Sequence, residues 1–217
     1  MARLRSSSKT YPVFLRTGSV RSACPFIGPV HFLQLPKEEP WPIPADVAPG
    51  RDRLMKTLQG HLLIAPPHER DLDFIRTVIL LIQHSEEQAF GVVLNRPSTT
   101  MLRQVWRGRC RCGDDLLYSG GPVSGPLMAL HTDPFFGEID VLPSVFYSVQ
   151  MGRLKELFDT QGHQVKVFQS HVGWGPGQLE RFLEDGHWRI LPATAEHVFS
   201  VGISLWEEVS KLANKPS

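Results

Sequence analysis

From residue 60 onward the apolar positions fall into short runs whose spacing predicts strands and helices in irregular succession. His61–Ala65 is a short apolar run stopped by Pro66-Pro67. Thr77–Gln83 is an unbroken β-branched and leucine run, the mark of a strand buried on both faces. Ser85–Gln88 reads as a turn and Ala89–Leu94 as the returning strand of a hairpin, closed by Asn95-Arg96-Pro97. A short helix is expected over 100–106, and further short strands over 116–118, 127–131, 139–142, 146–149 and 165–169. Asp71 and Asp73 are expected to open a short helix containing Phe74. Met151, Leu154, Leu157 and Phe158 share one face of a helix over 151–159. A second long helix follows Gly173-Trp174-Gly175-Pro176-Gly177. Pro176 suits its first turn, Leu179, Phe182 and Leu183 form its apolar stripe, and Gly186 is its stop. One more strand over 187–191 and an amphipathic helix over 203–213 complete the chain. Hairpins mixed with helices at irregular intervals indicate an α+β domain, with a mixed or antiparallel sheet, rather than alternating βαβ units.

A chain of 217 residues with 41% hydrophobic and 21% charged side chains has material for a sizeable core, which excludes a wholly disordered or fibrous chain. No stretch reaches the roughly 18 apolar residues that a membrane-spanning helix needs. The prolines divide the chain in two. Residues 1–54 hold eight of the 18, and also eight Lys/Arg against four Asp/Glu. Residues 55–217 keep 15 basic and 18 acidic side chains, a net of −3. We therefore expect a Pro/Arg/Ser-rich, largely unstructured extension over 1–54 and a single domain over 55–217. The extension has no acidic residue before Glu38 and is dotted with Arg and Ser. It reads as a disordered arm, as an over-extended reading frame with Met55 the natural start, or as an organelle targeting segment. Three cysteines are too few for a disulfide framework, and Cys110 and Cys112 are poorly spaced for a bridge. That usage suits a reducing compartment, so the cytoplasm is expected, or an organelle if the extension is a transit peptide. The neighbouring arginines favour thiolates at Cys110 and Cys112, but no second Cys/His pair is spaced to complete a zinc site.

Candidate chemistry is sparse. His84 and His131 sit at predicted strand ends, where side chains converge at a sheet's rim. With Asn95, Arg96 or Asp133 they would form a polar pocket for an acid–base pair or a metal; alternatively each is a hydrogen-bonded structural residue. Arg96 is suited to hold an anion through both arms of its guanidinium. The turns at Gly120-Gly121 and at Trp174-Gly175 present backbone N–H groups, the latter at a helix start, as an anion cradle would. Their other reading is tight turns, with Trp174 packed on the core. No P-loop, dinucleotide fingerprint, G-x-S-x-G elbow, H-E-x-x-H or kinase set occurs. No catalytic, cofactor or metal residue is therefore assigned and no cofactor expected. Direct nucleic-acid binding by the domain is disfavoured by its net charge.

Five segments in order resemble the AlgH/YqgE family of bacterial and plastid proteins: Gly60–Pro66 leading to Phe74 and Arg76, Gly91–Pro97, Gly120-Gly121-Pro122-Val123, Leu130-His131, and Gly173–Glu180. The resemblance spans 58–215 and implies a strongly twisted mixed sheet with several helices packed on it. It implies no established activity; one member is named a regulator of alginate production. The chain departs from the family pattern at Gln88, where a glycine is usual, and at Ser170-His171-Val172, which replaces Gly-Tyr-Ala. The function expected is a non-enzymatic binding or regulatory module acting through a small ligand or a protein partner. The alternative is a small enzyme using Asn95, Arg96 and His131 with the glycine-rich helix start; a transcriptional regulator is the weaker third reading.

Overall fold

Alternation sorts the apolar runs onto two faces of one sheet. The computed structural model describes residues 57–111, 116–186, 188–201 and 204–213. The N-terminal extension, Cys112, His187 and Ile203 lie outside these. The strands are β1 (His61–Ile64), β2 (Val78–His84), β3 (Ala89–Val93), β4 (Pro97–Met101), β5 (Leu116–Tyr118), β6 (Val123–His131), β7 (Ile139–Leu142), β8 (Val145–Ser148), β9 (Val165–Trp174) and β10 (Arg189–Pro192). The helices are α1 (Leu102–Val105), α2 (Met151–Asp159), α3 (Gln178–Gly186), α4 (Ala195–Phe199) and α5 (Leu205–Leu212). The strand order is β10-β1-β2-β3-β9-β6-β8-β7, with β4 and β5 attached through β9. Every pair is antiparallel except β5 with β9, where Tyr118 lies opposite Phe168. The sheet curls into a half-barrel. The chain just before β1 reaches across to β7, where the Gln59 side-chain amide donates to the Asp140 carbonyl at 2.8 Å.

Three apolar clusters follow from the alternation. Leu62, Leu80, Val92, Leu130 and Phe168 point into the curl and meet Val198 of α4 and Leu205 and Val209 of α5. Leu63, Ile79, Leu81, Val93 and Val172 point out and are covered by Leu179 of α3, with Trp174 and Trp188. Leu117, Ala129 and Val167 point out further along, beneath Leu102 of α1 and Leu154, Leu157 and Phe158 of α2. Met151, predicted on the same face of α2, is half-exposed at 52%. Among the described residues no helix is long and apolar enough to cross a membrane.

The hairpin β2–β3 forms as predicted, its turn tied by Ser85 and Gln88. Among described non-glycine residues only Arg76 and Ser144 have positive φ, so Gln88 needs no glycine-like conformation. Elsewhere the structure corrects the sequence pattern. The strand expected over 165–169 runs on to Trp174, because Gly91–Ala89 of β3 and Val123-Ser124 of β6 offer its second half partners. Pro176 therefore precedes α3 rather than entering its first turn; the helix starts at Gln178, whose side-chain carbonyl accepts from the Gly175 amide at 2.9 Å. The polar run of β4 shows no alternation, and its residues 100 and 101, expected in a helix over 100–106, belong to the strand, so that α1 begins only at Leu102. The strand pairs at an edge, beginning at Pro97, where a missing N–H is tolerated. Asp71 and Asp73 open a turn, not a helix: the Asp71 carboxylate accepts from the Asp73 amide at 2.9 Å. The five-residue α4 went unpredicted; it is started by Thr194 and His197, which exchange hydrogen bonds as a capping box.

Candidate functional site

The eight residues singled out in the sequence separate into three places. Asn95, Arg96, Gly120 and Gly121 come together where β3, β5 and β9 meet. The Val93 amide donates to the Gly120 carbonyl at 2.7 Å, and the Ser119 amide to the Arg96 carbonyl at 2.9 Å. The Gly120-Gly121 pair crosses β9 so closely that a Cβ at Gly120 would lie 2.0 Å from the Ser170 carbonyl oxygen. Glycine is demanded there by the closeness of the two backbones. The Gly121 amide is taken by the Ser170 hydroxyl at 3.3 Å.

Asn95 joins two segments that the sequence keeps 19 residues apart. Its Oδ1 accepts from the Val78 amide at 3.0 Å, and its Nδ2 donates to the Arg76 carbonyl at 2.8 Å. With both ends of its amide used and only 4% exposed, it clamps the turn that precedes β2. Arg76, the residue clamped, has a φ of 53°, a left-handed conformation that costs an ordinary side chain about 1–2 kcal/mol. Its half-exposed guanidinium pairs with Glu207 of α5 and lies over the Trp206 ring, 4.9 Å from the centroid. The Trp206 indole N–H is itself fixed on the Ala65 carbonyl at 2.9 Å. On the same turn Arg96 donates to the Leu72 carbonyl at 2.8 Å. The structure therefore groups two arginines, a tryptophan and a carboxylate around the Asn95 clamp. Sequence reading had Arg76 only as part of a motif and missed Trp206 and Glu207, which stand 130 and 131 residues away from it.

His84, Trp174 and Gly175 belong to the packing of α3. The His84 Nδ1 accepts from the Leu58 amide at 3.0 Å, so its proton is on Nε2, which donates to Glu180 at 2.8 Å. Partial burial works to raise the Glu180 carboxyl, but the His84 hydrogen bond and nearby charges outweigh it and hold it below the usual range. Trp174 is buried against Phe182, with ring centroids 5.8 Å apart. The Gly175 amide, one donor of the expected anion cradle, is already occupied by Gln178.

His131 stands apart from both groups. It pairs with Val165, five residues along β9 from Ser170 and so about 17 Å from the Gly120 crossing. Its Nε2 lies 2.9 Å from the Ser148 hydroxyl, which itself donates to the Phe136 carbonyl. That order makes Nε2 the protonated nitrogen. Burial, and next the neighbouring His163, lower its pKa to about 4, with Asp133 partly opposing them. Both His131 and Ser148 are fully buried. A serine beside a histidine suggests nucleophile and base, but here the hydroxyl proton is committed to a carbonyl and no surface reaches the pair. Asn95, Arg96 and His131 thus share no rim. Among the described residues no group of three or more His, Cys, Asp or Glu is placed to hold a metal ion.

Three further groups were not singled out or were read differently. Lys166, buried inside the curl, donates to the Val198 and Ser200 carbonyls at 3.1 and 2.9 Å and lies over Tyr118. Burial lowers its pKa to about 8. His171 is half-buried, which lowers its pKa, and its ring packs beside Gly125 on the facing strand β6. Cys110 is disulfide-bonded, not the free thiol expected.

Residues 62–216 match the model of a family described as AlgH-like (DUF179). A UPF0301 protein of Myxococcus xanthus is 36% identical over 165 residues, covering 73% of this chain and 88% of that protein. One from Chlorobaculum tepidum is 34% identical over 147 residues, covering 65% and 78%. The solution structure of the AlgH protein from Pseudomonas aeruginosa superimposes with a TM-score of 0.63 at 27% identity, covering 77% of this chain and 94% of its own. A crystal structure from Corynebacterium diphtheriae gives 0.60 at 28% identity, covering 72% and 86%.

Proposed function

The chain belongs to the AlgH-like family, and from that premise we propose that it is a non-enzymatic binding module. It recognises an anionic group, on a small ligand or on a protein partner, at the turn clamped by Asn95. The observation that carries this reading is Arg76. A left-handed backbone at a non-glycine residue is costly, and such strain gathers where a side chain must be aimed. Here it aims a half-exposed guanidinium across Trp206, with Arg96 on the same turn. Glu207 occupies Arg76 in this arrangement, as the carboxylate or phosphate of a ligand would, and the exchange needs only surface side chains to move. The enzyme reading loses its support because His131 is fully buried and bonded to Ser148, about 17 Å along β9 from the Gly120 crossing.

The test is a thermal-shift screen of the full chain against carboxylates, sugar phosphates, nucleotides and acidic peptides. A ligand at about 100 times its Kd adds ~2.7 kcal/mol. The expected result is a hit that Arg76→Ala and Arg96→Ala abolish and Glu207→Gln strengthens. A hit insensitive to all three substitutions, or turnover of any substrate lost on Asn95→Ala, would overturn the reading.

A further inference from the structure

Residues 57–60, which lead into β1, form a strap between two distant strands of the sheet. One end is tied to His84 at the close of β2: the Thr57 hydroxyl donates to the His84 carbonyl at 3.4 Å and the Leu58 amide to its Nδ1 at 3.0 Å. The other end lies against β7. There the Gln59 side chain donates to the Asp140 carbonyl, and a Cβ on Gly60 would come 2.8 Å from the Val141 carbonyl oxygen. The Gly60 amide is bonded to the Leu81 carbonyl at 2.9 Å, and Leu58 packs on the apolar cluster covered by α3. Of these ties, the one from Leu58 to His84 has an acceptor that can take up a proton.

The His84 side chain is 6% exposed and both its ring nitrogens are in use, Nδ1 by the strap and Nε2–H by Glu180 of α3. A proton added to the ring must go to Nδ1, where it meets the Leu58 N–H. Two donors make no hydrogen bond, and turning the ring over brings another N–H to the same place. The bond to Glu180 behaves oppositely and strengthens when the ring is charged. We infer that His84 is a proton-operated latch: neutral, it holds the strap to the end of β2; protonated, it lets Leu58 go and keeps α3. The charges around it agree. Partial burial works to raise the Glu180 carboxyl, but the His84 hydrogen bond and nearby charges, Arg181 among them, hold it below the usual range. Glu180 therefore stays ionised while the ring gains its proton. The hairpin turn adds only the exposed Glu86 and Glu87, and β3 sets the uncharged Ala89 opposite His84. On β1, the His61 Nδ1 lies 3.1 Å from the Gln59 carbonyl, a bond in which it donates and which protonation leaves intact.

The isotope-labelled full chain would be followed by NMR as pH is lowered. The His84 Cε1–H shift reports protonation of the ring. Solvent exchange of the Leu58 amide, corrected for the intrinsic effect of pH, reports the strap. Protection at Leu58 should drop about tenfold or more as His84 takes up its proton, the scale of one lost hydrogen bond. The Gly60 amide should keep its protection. In His84→Gln the new carboxamide can accept from Leu58 and donate to Glu180, so Leu58 should stay protected throughout. His84→Leu should leave it unprotected throughout. Glu180→Gln should move the His84 midpoint to lower pH, with Leu58 exchange moving alongside. Leu58 protection that ignores the His84 titration in the parent would overturn the inference. So would a transition at Leu58 that survives in His84→Gln, or a His84 ring that stays neutral until the domain unfolds.

Discussion

Asn95 shows how one side chain settles the local structure of two segments. Its amide supplies an acceptor to Val78 and a donor to Arg76, and both backbone groups would be orphaned without it. Asn95→Ala should therefore cost about 1–3 kcal/mol for each orphaned group, read as a lower urea midpoint. Asn95→Asp, which keeps the acceptor and loses the donor, should fall between. The requirement was invisible in the sequence, where Asn95 reads equally well as a turn residue or a site residue. His131 is likewise legible in the sequence only as a histidine at a strand end; its full burial beside Ser148 is visible only in the tertiary structure. Its pKa of about 4 lies below the ordinary value of 6.5, so between those limits the unfolded chain binds the proton and the folded chain does not. Stability should fall as pH drops from 6.5 towards 4, by up to about 3 kcal/mol. His131→Gln should remove that part of the pH dependence, as followed by chemical denaturation at each pH.

At the scale of elements, the meander of β1, β2 and β3 was readable because each strand carries its own apolar signal. The β4 strand and α4 were not, since an edge strand with polar faces and a five-residue helix owe their form to what lies beside them. Lys166 is what lies beside α4: its ammonium takes two carbonyls at and just beyond the helix end and holds it to the inside of the sheet. The price is a buried charge. Burial sets the Lys166 pKa at about 8 against an ordinary 10.5, so across that window the unfolded chain holds a proton that the folded chain has released. The parent should gain stability as pH rises from 8 to 10.5, by up to about 3 kcal/mol relative to Lys166→Met, whose stability carries no such dependence. Amide exchange in residues 195–199 should rise in that variant before exchange in β2 does, because the lost bonds are those of α4.

On the scale of the whole molecule, β9 is the common member. It pairs with β3, β5 and β6, and its side chains enter all three apolar clusters: Phe168 inside the curl, Val172 beneath α3, Val167 beneath α2. Phe168 is fully buried. Phe168→Ala should cost about 3–5 kcal/mol and lower exchange protection in β3, β5 and β6 together. Loss confined to the β6 side would show that the two halves of the sheet unfold separately.

Local order was carried by the sequence itself. Period-2 alternation, the serine–glutamine turn and the amphipathic spacing of α2 each depend on a few neighbouring residues, so the α+β class, the β2–β3 hairpin and the family resemblance could be read directly. Pairings between distant segments depend on which backbones meet, and no local pattern encodes that. Only the tertiary structure ran β9 on through Trp174, pressed Gly120 against Ser170, and set Arg76 over Trp206. It also dispersed the histidines from the arginines, because strands read separately as ending at one rim end on different sides of a curled sheet.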